Sequence, residues 1–191
     1  LGDSFAHGFC VNQQNNIASI MKKITNKNVI NLGYGGNGPL IQLASLKEFK
    51  PDNVSNIIWM YSEYNDLIDI SFEINNPILK KYFFDENFSQ DLKSKQNIIN
   101  NIGEKKILSK KNKVKNYKFS TRIKNFIFLN NLRFIISKKT NFYIPEKNFQ
   151  IFETIISNFI KYSNENKSKP YFVYIPSYNT FNDKINSVNY L

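Results

Sequence analysis

Apolar residues recur along the chain in two alternating patterns, one typical of helices and the other of buried strands. Apolar side chains three and four positions apart predict an amphipathic helix over Asn12–Thr25. The run Asn28–Leu32 predicts a short buried strand, because it stops at a cluster of glycines, Gly33, Gly35, Gly36 and Gly38. The chain therefore begins with a helix, a strand and a glycine loop in succession.

A second helix and strand follow the glycine loop. Pro39 fits the first turn of a helix, and apolar residues continue one face of that helix until Lys50 and Pro51 end it. The run Asn56–Tyr61 is continuously apolar, which is typical of a parallel strand covered on both faces. Polar residues follow directly at the carboxyl end of this strand.

The alternation resumes near the end of the sequence, with a helix predicted over Phe149–Ile160 and a buried strand over Tyr171–Ile175. Helices that alternate with short apolar strands predict an α/β fold, in which a mainly parallel sheet carries helices on both faces. Ligands of such folds bind beyond the carboxyl ends of the strands. We therefore expect one domain spanning residues 1–191, with its site at that edge.

A basic segment, roughly residues 78–144, interrupts the alternation and is predicted to be an insert or lid. Of the 26 Lys and Arg residues, 14 lie between Asp91 and Thr140 with only 2 acidic residues, so this stretch has a net charge of about +12, compared with +11 for the whole chain. The remainder of the chain is close to neutral. The basic character therefore belongs to the insert and not to the domain as a whole.

The insert allows three interpretations. Its aromatic residues alternate with aliphatic ones, as in a buried helix or strand, which argues against a nucleic-acid site. The apolar runs Phe126–Leu129 and Leu132–Ile136 are flanked by lysines, which fits contact with an anionic membrane surface. A solvated lid is the simpler alternative.

Three positions at predicted strand or helix boundaries have side chains or backbone suited to acyl-transfer chemistry. Ser4 begins a predicted helix, where its hydroxyl can reach a cleft, although Asp3 and Ser4 also suit an ordinary helix cap. Gly36 lets a backbone N–H approach a substrate oxygen, but neighbouring glycines commonly form a tight turn. Asn65 offers a carboxamide N–H to an oxyanion, or forms a turn with Asp66.

Taken together, the three blocks resemble the SGNH/GDSL hydrolase superfamily. The nucleophile block is Gly2–Gly8, the glycine block is Asn31–Asn37, and the asparagine block is Tyr64-Asn65-Asp66. The resemblance implies a three-layer α/β/α fold with a flavodoxin-like sheet, of which the first strand and the last strand and helix lie outside this sequence. It covers about the first 70 residues specifically and the region from Phe149 only in architecture.

The resemblance also implies the chemistry. Ser4 would be the nucleophile that attacks an O-acyl ester, with an oxyanion hole formed by the Ser4 and Gly36 backbones and the Asn65 side chain. Asp3, His7 and Tyr64 would contact the substrate, a small-molecule or carbohydrate ester. No metal or organic cofactor is required. The family commonly has glycine near the asparagine, where this chain has Glu63 and Tyr64, so the bulky Tyr64 is expected to narrow the pocket or to alter the loop.

The family's last motif, an Asp three residues before a His, is not found in the sequence. Asp183 is followed three positions later by Asn186, and the only histidine, His7, would share one helical turn with Ser4 instead of facing it. We therefore expect a fragment that is nearly inactive by itself. The alternatives are a noncatalytic SGNH-like binding domain and an O-acyltransferase that uses the same site.

Partners and compartment are constrained only weakly. The single cysteine, Cys10, excludes an internal disulfide, and no signal peptide or long apolar segment occurs, so both the cell envelope and the cytoplasm stay open. The substrate itself and the oligomeric state are not defined by the sequence.

Overall fold

The computed structural model describes residues 1–63, 65–115 and 144–176, with only the backbone of residues 111–115. The chain divides into two compact units, one made of Leu1–Gln90 with Ile144–Leu191 and the other of Asp91–Tyr143. The first unit is a mixed α/β structure that holds the three sequence blocks.

The first unit contains six of the helices and both strands of the described residues. A 3₁₀ turn, Gln13–Asn15, precedes the second helix. The elements are α1 (Ser4–His7), α2 (Ile17–Thr25), α3 (Pro39–Phe49), β1 (Asn56–Ser62), α4 (Asp66–Glu73), α5 (Pro77–Phe84), α7 (Glu146–Glu165) and β2 (Lys169–Ile175). The helices predicted within Asn12–Thr25, from Pro39 and over Phe149–Ile160 are confirmed, as are the two strands predicted over Asn56–Tyr61 and Tyr171–Ile175.

The two strands pair in parallel, with Asn56 opposite Lys169 and Ser62 opposite Ile175. On the other edge of β1, the Leu1 nitrogen donates to the Ile58 carbonyl at 2.7 Å and the Met60 N–H donates to the Leu1 carbonyl at 3.1 Å. In parallel strands, a residue bonds to the two residues that flank its partner on the next strand, and Leu1 bonds in this way to the two residues that flank Trp59. Leu1 therefore aligns along β1 on the edge away from β2.

The strand predicted over Asn28–Leu32 is not formed. The segment is irregular, Ile30 is 60% exposed, and the Asn31 side chain makes other bonds: its amide donates to the Ala6 carbonyl in α1 and its oxygen accepts from the Gly33 N–H. The prediction rested on β-branched residues, whose preference for strands depends on a neighbour to pack and pair with. The segment adjoins the start of the sequence through the bond from Asn31 to Ala6, and just beyond it the Tyr34 N–H donates to the Gly2 carbonyl at 3.2 Å.

The core of the first unit lies on one face of β1. Ile57, Trp59 and Tyr61 point to the same side because alternate strand residues do, and all three are buried. They pack against apolar residues of α3, α4 and α7, namely Leu40, Leu43, Leu46, Leu67, Ile70, Ile155 and Phe159. The rings of Trp59 and Phe159 meet edge to face with centroids 4.8 Å apart, at the centre of this core.

The prediction that β2 is buried is wrong. Tyr171, Phe172, Val173 and Tyr174 are each between 41% and 47% exposed. The apolar run predicts a strand that is covered on both faces. Among the described residues, however, β2 has only β1 as a paired neighbour. A continuous apolar sequence is thus compatible with a half-covered strand.

The predicted insert of residues 78–144 overlaps the second unit but begins before it. Residues 78–90 pack on the first unit, where the Tyr82 hydroxyl and the Gln90 N–H both donate to Oε1 of the buried Glu48 on α3. In the second unit, α6 (Gln96–Lys115) exposes Lys105, Lys106 and Lys110 together with Ile107 and Leu108. The two apolar runs of the insert lie outside the described residues. None of the helices that the structure describes has the length and apolar character needed to cross a bilayer.

Candidate functional site

Ser4 is the first residue of α1, and Asp3 caps that helix. The buried Asp3 carboxylate accepts a hydrogen bond from the Phe5 N–H at 3.0 Å through Oδ1 and from the Ser4 hydroxyl at 3.3 Å through Oδ2. Gly2 precedes this cap with φ +142°, and a Cβ there would lie 2.8 Å from the Met60 carbonyl oxygen. Glycine therefore allows the chain to turn from Leu1, which is bonded along the edge of β1, into α1, and this leaves Ser4 half-buried at the turn.

The glycine loop passes beside Ser4. A Cβ added at Gly35 would lie 3.5 Å from the Ser4 Cβ, whereas one added at Gly36 would meet nothing within 4 Å. Gly36 has φ +85°, a conformation that favours glycine, and it is exposed. Gly35 is thus the loop residue next to Ser4, and Gly36 stands at the open side with room for a ligand.

Asn65 lies three residues beyond β1 and occupies the N-cap position of α4. Its side chain makes no capping bond to the helix; instead, its Nδ2 donates to Oδ2 of Asp69, one turn farther along α4, at 3.1 Å. The carbonyl of Asn65 accepts the Ile68 and Asp69 N–H groups, so the backbone alone begins the helix. The turn interpretation and the oxyanion interpretation of Asn65 are therefore compatible.

Carboxyl groups are concentrated beneath these three loops. Asp66 has no exposed surface; its Oδ2 accepts the Ser62 N–H at 2.7 Å, and its Oδ1 is buried without a hydrogen-bond partner. Burial raises the pKa of Asp66 to about 8, with further contributions from the negative charges of Asp3, Asp69 and Glu73. Burial also raises the pKa of Asp69, and the charge of Asp3 adds to that increase. Asp3 and Asp69 are therefore close enough to interact.

Glu73 joins α4 to the N-terminus of α3. Its carboxylate accepts the Leu40 N–H at 2.9 Å and the Ile41 N–H at 3.4 Å, supplying the acceptor that Gly38, at the N-cap position, lacks. A Cβ on Gly38 would lie 2.6 Å from the Asp69 Cβ and 2.8 Å from the Glu73 carboxyl carbon. Glycine at position 38 therefore allows α3 and α4 to approach each other. Burial of the Glu73 carboxyl group raises its pKa to about 7.

His7 lies away from the carboxyl groups, on the other side of the nucleophile block. Its ring stacks on Tyr34 with centroids 5.1 Å apart, and its Nδ1 is buried without a hydrogen-bond partner. It borders an open surface depression of about 590 Å³ that Phe9, Val11 and Asn16 also line. Ser4 does not line this depression. Tyr64, the remaining predicted substrate contact, lies outside the described residues.

The predicted site residues thus fall into two groups. Asp3, Ser4, Gly35 and Asn65 belong to one arrangement, in which Gly35 lies beside Ser4 and Asn65 is bonded to Asp69, whose carboxyl group interacts with that of Asp3. His7 belongs to the neighbouring depression, which Asn31 and Gly33 of the glycine block also line. The residues that sequence reasoning missed are Gly35, Gly38, Asp69 and Glu73. A signal for the last two was present, since Asn65, Asp69 and Glu73 follow at spacings of four, which places them on one face of a helix.

No metal site accompanies this arrangement: in the part of the chain that the structure describes, no group of three or more His, Cys, Asp or Glu side chains is disposed to hold a metal ion. A scan against protein-family models finds no family that matches, and neither the curated proteins nor the solved structures contain a match to this chain.

Proposed function

We propose that the protein is a serine ester hydrolase of the SGNH/GDSL type, which works through an acyl-enzyme on an O-acyl ester such as a carbohydrate ester. The observation that carries this proposal is that the segments holding the three blocks, about 30 residues apart in the sequence, adjoin one another. Gly35 lies against Ser4, Gly38 lies against Asp69, and Asp3 and Asp69 interact through their charges. On this basis we place Ser4, Gly36 and Asn65 in one proposed site near the carboxyl end of β1.

The hydrogen bonds also support a flavodoxin-like order for the sheet. Tyr34 bonds to Gly2, Leu1 bonds to β1, and β1 pairs with β2, so the neighbouring segments follow the spatial order 2-1-3-4 when numbered along the chain. This is the beginning of the flavodoxin-like order, in which ligands bind where the order reverses. The reversal falls between the segment ending at Gly2 and β1, next to Ser4 and Asn65. We propose the three-layer α/β/α fold on this basis.

In the proposed reaction, the Ser4 hydroxyl attacks the ester carbonyl and its proton passes to a general base. The base gives this proton to the alcohol oxygen as that group leaves, and the acyl group stays on Ser4. Water then attacks the acyl-enzyme and releases the acid. The Ser4 and Gly36 N–H groups and the Asn65 amide donate to the oxyanion. Asp3, His7 and Tyr64 are the proposed substrate contacts. His7 is not assigned as the base, because its ring stacks on Tyr34 and because it lies in the same short helix as Ser4.

A fluorophosphonate probe tests the proposal directly, because it reacts covalently with activated serines. We expect the full-length protein to be labelled at Ser4 and to hydrolyse p-nitrophenyl acetate. Ser4→Ala should abolish labelling and lower hydrolysis at least ~10³-fold, as loss of a nucleophile does. Ser157→Ala, on the exposed side of α7, is the matched control and should keep both activities. A wild-type protein that is neither labelled nor active contradicts the proposal.

One observation favours a second candidate, a noncatalytic binding domain of the same type. The group bonded to the Ser4 hydroxyl is the Asp3 carboxylate, and the sole histidine of the sequence stacks elsewhere. Absence of labelling together with retained binding of an acylated sugar supports this candidate. An O-acyltransferase is distinguished by its product. Ser4 would still be labelled by the probe, but in a separate assay the acyl group would be transferred to an added sugar hydroxyl faster than to water.

A further inference from the structure

We infer that Asp69 is a positioning residue, which holds the Asn65 carboxamide with one N–H directed at the carbonyl oxygen of the reacting ester. This inference rests on the function proposed above. It assigns to Asp69 a role that depends on a single contact, the 3.1 Å hydrogen bond from Asn65 Nδ2 to Asp69 Oδ2.

The chemistry of the two groups explains why this contact fixes the amide. An asparagine side chain has one face with an accepting oxygen and another with two N–H donors, and it can rotate to exchange them. A carboxylate only accepts, so the nitrogen of Asn65 has to face Asp69. One N–H is then used by Asp69, and the second is left for an oxyanion. Without Asp69, the amide oxygen could point at the reacting carbonyl and would oppose the developing negative charge.

Asn65 needs a side-chain partner because the backbone of α4 does not hold its carboxamide. The residue occupies the N-cap of α4 with φ −136° and makes no side-chain capping bond. Asparagine at this position commonly bonds the N–H groups of the first turn, which would turn its oxygen toward the helix. In this protein the nitrogen reaches across the first turn to Asp69 instead. The departure from ordinary capping leaves the amide donor available.

Asp69 itself is held by the glycine loop. The backbone of Gly38 approaches so closely that a Cβ there would lie 2.6 Å from the Asp69 Cβ, and the carboxyl group is half-buried beside Asp3. Side chains that orient a catalytic group work well when packing restricts their own rotamers. The contact with Gly38 therefore links the position of the Asn65 amide to the glycine loop, the second source of oxyanion donors.

A double-mutant cycle tests the inference with the full-length protein and p-nitrophenyl acetate. We expect Asp69→Ala to lower kcat about 10- to 100-fold with little change in KM. Asp69→Asn should restore only part of the loss, because its amide oxygen can accept the Asn65 N–H but its nitrogen can also donate to the Asn65 oxygen. Adding Asp69→Ala to Asn65→Ala should cause no further decrease, since the positioned group is already gone. Asp52→Ala, an exposed acid of the first unit, is the control and should match the wild type.

The outcomes separate this inference from the function on which it rests. An unlabelled and inactive wild type overturns both. An active wild type whose kcat is unchanged by Asp69→Ala overturns the inference alone. The inference is also overturned if the decrease in kcat of the double variant equals the product of the decreases in Asp69→Ala and Asn65→Ala. If Asp69→Ala does not fold, Asp69→Leu takes its place, because leucine is close to aspartate in size but cannot accept a hydrogen bond. Equal rates for Asn65→Ala alone and for its combination with Asp69→Leu support the inference, and a further decrease in the double variant contradicts it.

Discussion

Single carboxyl groups determine how the stability of this protein responds to pH. Burial and the negative charges of neighbouring carboxyls raise the pKa of Asp66 from 3.8 to about 8, and burial raises that of Glu73 from 4.5 to about 7. In the unfolded chain both groups lose their protons near pH 4, whereas in the folded protein they keep them. The folded state therefore binds more protons over this interval, and the free energy of unfolding falls as the pH rises from about 4 to about 8.

Replacing Asp66 by Asn should remove most of this dependence. The amide oxygen can accept the Ser62 N–H as Oδ2 does now, while no charge can form at the buried position. We expect Asp66→Asn to have the same free energy of unfolding as the wild type near pH 4. At pH 8 the variant should be more stable by on the order of a few kcal/mol, because each unit by which folding raises a pKa corresponds to ~1.4 kcal/mol. Chemical denaturation at both pH values measures the difference. An exposed control, Asp52→Asn, should leave the pH dependence intact. Asp66→Asn should keep only the smaller slope that comes from Glu73, and a slope as steep as that of the wild type contradicts the assignment.

At the scale of residues, the sequence indicated the positions with chemistry but not those that support them. Ser4 and Asn65 were recognisable because each follows an apolar run or opens a helix and belongs to a family-like block. Asp69 and Glu73 were overlooked because acidic residues on a helix usually face water. Their burial follows from the approach of α3, which depends on Gly38 having no side chain, and such an approach is a property of the packed structure.

At the scale of elements, local pattern was sufficient where an element supplies its own hydrogen bonds. Helix α3 begins at Pro39 and ends before Lys50 and Pro51, as the end signals predict, and α7 follows its apolar spacing. The segment Asn28–Leu32 failed because a strand needs a partner to bond, and sequence pattern contains no information on whether one is there. The exposure of β2 has the same origin, since burial of a strand depends on what covers its face.

A buried amide on α7 provides a test at this scale. Asn148 has no exposed surface, and its Nδ2 donates to the Leu67 carbonyl and the Ser71 hydroxyl of α4, both at 2.7 Å. We expect Asn148→Ala to lower the free energy of unfolding by about 1–3 kcal/mol, because it leaves buried acceptors without a donor and opens a small cavity. Asn164→Ala, exposed on the same helix, should change stability by less than ~0.5 kcal/mol. Equal stabilities of the two variants in denaturant titrations would show that this bond does not join the helices.

At the scale of the whole molecule, the two units differ in composition as well as in contacts. The buried core and all three sequence blocks belong to the first unit, whereas most of the positive charge lies between Asp91 and Thr140. A site built by the first unit does not need that charge. The excess of lysine therefore calls for a separate explanation, and the exposed Lys105, Lys106 and Lys110 beside Ile107 and Leu108 favour contact with an anionic membrane surface.

Sedimentation with vesicles distinguishes this membrane hypothesis from a solvated helix. Basic residues near an anionic bilayer contribute about 1 kcal/mol each, so replacing Lys105, Lys106 and Lys110 by Gln should lower partitioning onto phosphatidylserine-containing vesicles about a hundredfold. The control replaces Lys22, Lys23 and Lys27, three exposed lysines of the first unit, and should bind as the wild type does. Binding should also weaken as salt is raised, because screening shortens the reach of the charges. Equal losses in both triple variants would mean that total charge and not the α6 surface governs binding, and a wild type that stays in the supernatant at low salt would assign these lysines to a solvated helix.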